Sequence, residues 1–443
     1  MAGRTERTPT SATNVAIAIV AMALGGFAIG TTEFASMGLL PNISRSLGVT
    51  EVQTGHLITA YALGVVIGAP VLAAVGSRLR KRTLLMGLMT IIVAGHVFSA
   101  LAPGYNSLFI ARFVSGLPHG AYFGIASVLA ASLVPANKRG SAIAGIMAGL
   151  SIANIVGVPV TTAIGQAMGW RAAYVLVAVL GLLTILLVRI FVPSVPVAAG
   201  ASMKRELSAL RNGQIWFLLL LGAVGFGGMF AVYTYISPIM TNLAGMAEST
   251  VPWVLATFGL GSTIGIFFGG RLADRSSTRG ILVGFVFTIL TFVGFWFTSS
   301  SVWASFVNVF MLGMSGSLLI PSVQTRLMAI SQGAQSLAAS LSHSAFNIAN
   351  ALGAWLGGLV LAAGWGYLGP SRVAVALGVV GLVLFLGSLV LQRRSRTRIV
   401  PDTVRTDVAD ADTDVDPVGT VGGDPSGAAS TALVPPVHLG VSR

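Results

Sequence analysis

The sequence predicts an all-α membrane protein with twelve transmembrane helices in two pseudo-symmetric six-helix bundles. Three observations carry that reading. Only 9% of the 443 residues are charged and 54% are hydrophobic, whereas a soluble domain carries about 25% charged residues. Apolar runs of about 20 residues, long enough to cross a bilayer as helices, recur from end to end. The second half of the chain also repeats motifs of the first in the same order. Lipid leaves only helices and closed barrels. These runs are continuous and rich in Leu, Val, Ala and Gly, without the alternation of barrel strands, so helices are predicted.

Residues 1–13 are polar and read as an N-terminal segment outside the membrane. Helices are predicted near 14–40, 52–75, 84–102, 108–131, 141–164, 172–192, 215–236, 251–269, 280–298, 303–325, 334–362 and 373–391, with Pro41 ending the first. That first run is too long for the apolar core of a signal peptide, and no small-residue cleavage site follows it, so it reads as a retained helix. Residues 393–443 read as a largely disordered tail. It carries seven aspartates (Asp402, Asp407, Asp410, Asp412, Asp414, Asp416 and Asp424) among Gly, Pro and Ser, too little apolar surface to fold. The chain has no cysteine, which excludes disulfides and thiolate metal sites.

The net charge of +13 follows topology and does not point to nucleic acid. With both ends on one side, the loops of that side hold Arg4, Arg7, Arg78, Arg80, Lys81, Arg82, Lys138, Arg139, Lys204, Arg205, Arg211, Arg271, Arg275, Arg279, Arg326, Arg393, Arg394, Arg396 and Arg398. The opposite loops hold Arg45, Arg171 and Arg372. The positive-inside rule puts both termini in the cytoplasm.

The repeat is visible in three places. Ser151-Ile-Ala-Asn154-Ile-Val-Gly157 reads against Asn347-Ile-Ala-Asn350-Ala-Leu-Gly353. Gly169-Trp170 reads against Gly364-Trp365. Gly76-Ser-Arg78-Leu79 reads against Gly269-Gly270-Arg271-Leu272, which continues into Asp274-Arg275. Two bundles, 14–192 and 215–392, are therefore expected, joined by a cytoplasmic linker at 193–214 with Pro193 and Pro196. Paired six-helix repeats with a midplane cavity between them suit alternating-access transport.

The chain resembles the major facilitator superfamily over roughly residues 14–392. Within it, the likeness is to twelve-helix drug:proton antiporters of the arabinose-efflux-permease and chloramphenicol-resistance group. Four blocks carry it. They are Gly30-Thr-Thr-Glu33-Phe34 with Gly38-Leu-Leu-Pro41, the basic loop Gly76 to Arg82, Ala111-Arg112-Phe113 with Gly116 and Gly120, and the stretch from Val134-Pro135 through Gly145, Gly149, Gly157 and Pro159 to Gly169-Trp170-Arg171. The last is similar to the antiporter signature of helix 5. The family's loop between helices 2 and 3 carries an Asp before its Arg. The first copy here, Arg80-Lys81-Arg82, lacks it, and the second keeps Asp274-Arg275. The resemblance implies that this acid bonds a helix end and holds the inner gate, so such a latch is implied only for the second half.

Glu33 is the acid of the apolar segments, about 12 Å from the end of the first one at 1.5 Å per residue. A carboxylate in hydrocarbon costs roughly 3 kcal/mol or more and marks a functional site. Arg112, about 7 Å inside the fourth helix, lies at comparable depth, and the resemblance places both helices around one cavity. A Glu33–Arg112 pair is expected, each lowering the other's desolvation cost. Burial and a neighbouring guanidinium act in opposite senses on a carboxyl, so Glu33 is expected to take up and release a proton as the distance to Arg112 changes. Arg112 tunes it and does not carry the proton. His119, two turns after Arg112, is the second and weaker proton-coupling candidate, because a neutral histidine in a helix is more often just a satisfied polar group. His56 and His96 read as structural.

Candidate cavity residues are Tyr61, Tyr122, Tyr233 and Tyr235 for stacking, with Phe123 and Trp355 beside them, and Asn154, Gln324, His343, Asn347 and Asn350 for hydrogen bonding. Candidate gating residues are Gly76, Arg78, Arg80, Lys81 and Arg82, Gly145, Gly149, Gly157 and Pro159, and Gly270, Asp274 and Arg275. The helix 5 glycines put bare backbone on one face for close packing, and Pro159 permits a bend. No metal or cofactor site is expected, the energy source being a proton gradient. No ATP-binding loop or catalytic cluster is found, which argues against a pump or an enzyme. The expected function is proton-driven export of small neutral or amphipathic compounds, such as a phenicol-type antibiotic, from the bacterial cytoplasm by a monomer in the cytoplasmic membrane. Sugar or nucleobase efflux is the alternative, and a membrane receptor or enzyme is the reading of another class.

Overall fold

A computed structural model describes the backbone of residues 12–76, 79–135, 138–195, 213–330 and 335–397. Within these, the side chains of 12–13, 328–330, 335–340 and 391–397 are not described. Arg78, Lys204, Arg205, Arg211, the first eleven residues and the acidic tail lie outside the described residues.

Twelve helical spans are long and apolar enough to cross a membrane: α1 Asn14–Gly38, α2 Glu51–Val75, α3 Lys81–Leu101, α4 Tyr105–Ser132, α5 Arg139–Met168, α6 Trp170–Phe191, α7 Gly213–Tyr233, α8 Glu248–Arg275, α9 Ser277–Thr298, α10 Val302–Leu327, α11 Leu341–Ala362 and α12 Gly369–Val390. The described residues contain no strand. Large apolar side chains such as Phe98, Trp253, Phe297 and Trp303 point outward, as lipid-facing surfaces require. Chain contacts group residues up to Leu389 as one compact unit; of the second, Val390–Arg443, only the helix end to Thr397 is described.

Pro41 does not close the first helix into a loop. The helix ends at Gly38, and Pro41 sits in the first turn of a second, short helix, Leu40–Leu47. Proline fits there because those N–H groups have no helical partner anyway. The second half does the same, with Ile236–Asn242 following α7 and Pro238 in its first turn. The two short helices touch each other.

The repeat is written into helix packing. Any Cβ on Gly64, Gly68 or Gly116 would meet the carbonyl oxygens of Phe113, Leu117 and Tyr61, so α2 and α4 touch backbone to backbone. Exactly the same set recurs 197 residues on: Gly261, Gly265 and Gly313 face the carbonyls of Phe310, Met314 and Phe258, joining α8 to α10. Small residues are what allow such approaches in a bilayer. Contacts between the halves follow the same symmetry, α2 packing on α11 and α5 on α8.

Helix α5 carries its glycines against α1, within its own half. Gly145 faces Ile19, Gly149 the Ala23 carbonyl, and Gly157 the Thr31 hydroxyl and Phe27. Its contact with the other half is made by the Asn154 backbone against Gly259 of α8. Before Pro159 the helix widens into a π turn, Ala153–Gly157, with the Val158 N–H bonded to the Ala153 carbonyl. The bend expected at Pro159 is thus accommodated by an extra residue in the preceding turn.

One ion pair joins the halves, and it is the only one within 4.0 Å among the described residues. Arg45 Nη2 donates to both carboxylate oxygens of Glu248 at 2.8 and 2.7 Å, and Gln166 Nε2 donates to the Glu248 carbonyl at 2.9 Å. Both charged side chains are largely exposed, so the pair contributes little to stability. Its expected effect is on the balance of open and closed states. Arg45→Glu or Glu248→Arg should raise cysteine accessibility of the seam at Gly38, where Leu255 of α8 packs, tested by maleimide labelling of this cysteine-free chain carrying Leu255→Cys. The double exchange should restore the parent's labelling.

Candidate functional site

The α2–α4 glycine contact determines the centre of the molecule. By bringing the two backbones together, it sets Tyr61 of α2 beside both Arg112 and His119 of α4. The Arg112 guanidinium carbon lies 4.3 Å from the Tyr61 ring centroid, and the Tyr61 hydroxyl is 2.9 Å from His119 Nδ1. Helix α4 is not continuous: it breaks at Leu117–Pro118 and restarts at His119. The two residues between the segments keep right-handed helical dihedrals, and Arg112 and His119 both meet Tyr61.

Arg112 is fully buried. Its Nη1 donates to Thr32 Oγ1 at 3.1 Å, while its Nε and Nη2 have no hydrogen-bond partner. A desolvated cation–π contact of this kind contributes about 2 kcal/mol, which helps hold the charge. The expected pair with Glu33 is not a contact ion pair. Glu33 is 1% exposed and Arg112 acts on it by charge, but no nitrogen of Arg112 lies within 4.0 Å of its carboxylate, and Oε1 has no hydrogen-bond partner. Thr32, the residue beside Glu33, occupies the guanidinium instead. Asn350 of α11 lies beside the carboxyl, yet neither end of its amide completes a hydrogen bond.

The second half supplies His343, Asn347 and Asn350 on one face of α11, with Asn347 Nδ2 donating to the His343 carbonyl at 3.0 Å. The Asn347 Oδ1 is buried and free, as is Asn154 Oδ1 on α5. Tyr233 of α7 stacks on Phe258 at 3.8 Å and meets the edge of Phe34 at 5.7 Å. Phe34 in turn stacks on Phe230 at 6.3 Å, and Phe230 contacts Phe346 at 4.8 Å. This aromatic wall of Phe34, Phe230, Phe258 and Phe346 was not expected. The signal available for it is the 197-residue offset, which sets Phe230 opposite Glu33 and Phe258 opposite Tyr61. The ionisable groups stand in the first copy and apolar rings in the second.

Other candidates lie elsewhere. Tyr122 turns into the first bundle, its hydroxyl donating to the Met22 carbonyl at 2.9 Å in space left by Gly25. Tyr235 caps the seam near Gly55 and Gly358, donating to the Ala354 carbonyl at 3.0 Å. Trp355 is 48% exposed and faces outward. Gln324 is half-buried on α10 and is not brought to the cluster. Arg82 Nη1 donates to the Val192 carbonyl at 3.2 Å, tying the first turn of α3 to the end of α6. Gly76 packs on Leu84, whereas Gly270 faces open space. Arg80 precedes α3 and Lys81 opens it. Asp274 and Arg275 are exposed at the end of α8, and Asp274 forms no ion pair among the described residues. His96 is buried and stacks on Tyr174 at 6.0 Å; His56 is half-buried.

The Tyr61 contacts can be separated experimentally. Tyr61→Phe keeps the ring beneath Arg112 and loses the bond to His119, an expected cost of about 1 kcal/mol. Tyr61→Ala also removes the cation–π contact and leaves a cavity, an expected loss of roughly 3–5 kcal/mol. Thermal unfolding of the purified chain in detergent should rank parent, Tyr61→Phe and Tyr61→Ala in that order.

Three comparisons place this architecture. The Major Facilitator Superfamily model matches residues 22–247 and again 232–422. The inner membrane transport protein YdhP of Escherichia coli (strain K12) is 38% identical over 84% of this chain and 95% of its own length. A chloramphenicol resistance protein of Streptomyces lividans is 31% identical over 82% of this chain and 94% of its own. The crystal structure of a bacterial homolog to the human lysosomal transporter Spinster, inward-facing and unoccupied, superposes with a TM-score of 0.69 at 16% identity, covering 88% of this chain and 99% of that one. With its twelve apolar helices arranged as two repeated bundles, the chain belongs to the Major Facilitator Superfamily of transporters.

Proposed function

We propose that this transporter is a proton-driven exporter of small neutral or amphipathic compounds, working by alternating access in the bacterial cytoplasmic membrane as a monomer with both termini in the cytoplasm. No cofactor is needed beyond the proton gradient. The observation that carries the reading is Glu33, a buried acid between the halves that no cation contacts directly. An acid locked in an ion pair has its charge state fixed. One influenced by Arg112 from beyond contact distance changes its proton affinity when the helices move. Glu33 binds a proton from the outside and gives it up inward as the compound binds. Arg112, anchored on Thr32 and Tyr61, supplies the field. Among the described residues Glu33 is the one acid at the site, which disfavours substrates that need several charge partners.

The compound class follows from the lining. The Asn350 amide and the Asn347 Oδ1, which have no hydrogen-bond partner, offer hydrogen bonds, and the rings of Phe34, Phe230 and Phe258 offer an aromatic wall. A molecule with one ring and a few polar groups satisfies both, as a phenicol does. A sugar uses the amides and leaves the rings unpaired, so it ranks second. The likeness to a chloramphenicol resistance protein supports the same choice and the outward direction.

The test uses inside-out vesicles with an acidified lumen and a pH dye, to which chloramphenicol, florfenicol, arabinose, hypoxanthine and a lipophilic cation are added in turn. A dye response to the phenicols is expected. A response to arabinose or hypoxanthine alone would replace the substrate class, and silence with folded protein would remove the export reading.

A further inference from the structure

The mechanism above uses Glu33 and leaves two imidazoles idle, one buried and one half-buried. His119 is 1% exposed at the restart of α4. His343 reaches it from α11, in the other half of the molecule, with ring centroids 5.5 Å apart. Two imidazoles joined by an N–H···N bond of about 2.9 Å place their centroids roughly 5 Å apart, so this spacing lies within a small rotation of one. Phe123 stacks on His343 at 4.7 Å and lies 5.4 Å from His119, packing against both rings. His119 Nδ1 is already engaged with Tyr61, which leaves its Nε2 for the partner ring.

We propose that His119 and His343 form a second proton-binding site, shared between the two halves of the transporter, distinct from the Glu33 carboxyl. In the neutral pair, His119 donates its Nδ1–H to the Tyr61 oxygen and keeps a lone pair on Nε2. A proton arriving from water binds His343 and is shared with that lone pair as N–H···N. On release it returns to water, and both rings are neutral again. No other bond changes.

The surrounding groups define what the added charge meets. From α2 comes Tyr61. From α4 come Arg112, 4.3 Å from the Tyr61 ring centroid, and Tyr122, which is turned to the Met22 carbonyl. Helix α11 itself adds Asn347 and Asn350, α1 adds Glu33, and α7 adds Tyr233. The cation of α10, Arg326, is directed to Thr278 of α9. Among the described residues, no carboxylate lies within 4.0 Å of either histidine. The added charge is therefore held by the shared bond and repelled by Arg112. Occupying the site ties α4 to α11 while the rings face each other. It favours their separation once water can reach His343. Its role in transport rests on the proton-coupled reading above; its existence as a proton site does not.

The test is a pH titration of the full chain in lipid nanodiscs, labelled with 15N-histidine and followed by NMR, beside His343→Gln, His119→Gln and Glu33→Gln. The expected result is that His119 and His343 change protonation together. Removing either one should shift the midpoint of the other by about one pH unit, the scale of interacting sites. Glu33→Gln should leave that coupling in place, even if it abolishes transport, which separates this site from the acid. If one histidine variant does not fold, the other reports the same coupling. Independent titration of the two rings, or no protonation of either, would overturn the proposal.

Discussion

Glu33→Gln is expected to abolish compound-driven proton movement while leaving the protein folded. The substitution keeps the shape and the hydrogen-bonding capacity of the side chain and removes its proton chemistry. Because the carboxylate makes no contact ion pair, no partner charge is left stranded, and the change in stability should stay within about 1 kcal/mol. The coupled rate should fall on the order of 100-fold or more, the scale set by losing a positioned proton-transfer group. Downhill exchange of radiolabelled chloramphenicol, which needs no proton, should persist. Its pH dependence should be lost. A variant that still drives protons with added compound would make Glu33 a packing residue and turn attention to the histidines.

The second large effect is expected at Gly68. Any side chain there meets the Leu117 backbone carbonyl, and backbone cannot rotate out of the way. Gly68→Val should push α4 from α2 at a cost of about 3 kcal/mol or more, and it should carry Arg112 and His119 away from Tyr61. Gly265 makes the equivalent contact with Met314 in the other half, where no ionisable cluster stands. Gly265→Val should therefore destabilise similarly, yet any folded fraction should keep its coupling. Gly87 faces open space, so Gly87→Val serves as a neutral control. Detergent-solubilised yield and unfolding temperature measure the first effect, and proton release per folded molecule measures the second.

The fold was legible because each span must satisfy its backbone alone, so length and apolarity suffice to find it. The repeat was legible where polar motifs recur, such as Asn154 against Asn350. It was missed in the glycines of α2 and α4, although Gly64, Gly68 and Gly116 recur as Gly261, Gly265 and Gly313. Those residues look unremarkable until their carbonyl partners are known. Glu33 and Arg112 were legible as costly charges in hydrocarbon. Their separation was not, because Thr32 competes for the guanidinium in a way that depends on side-chain direction. Tyr122 and Tyr235 were misassigned to a cavity for the same reason: an aromatic ring in an apolar helix carries no sequence mark of the way it turns. The interruption of α4 at Pro118 was readable from the proline itself. His343 was legible only as one of a row with Asn347, since its partner lies 224 residues away in the chain.

The central claim is that Glu33 gains and loses a proton as the compound binds. The most direct measurement is compound-induced infrared difference spectroscopy on the reconstituted full chain, with chloramphenicol or florfenicol as the added compound. Glu33 is the acid in the interior of the spans; the others there, Glu51, Glu248 and Asp274, lie at helix ends. A protonated-carboxyl C=O band that disappears on adding the compound, shifts in deuterated water and is absent from Glu33→Gln is the predicted result. Compound-driven proton release with no change in that band would contradict the account.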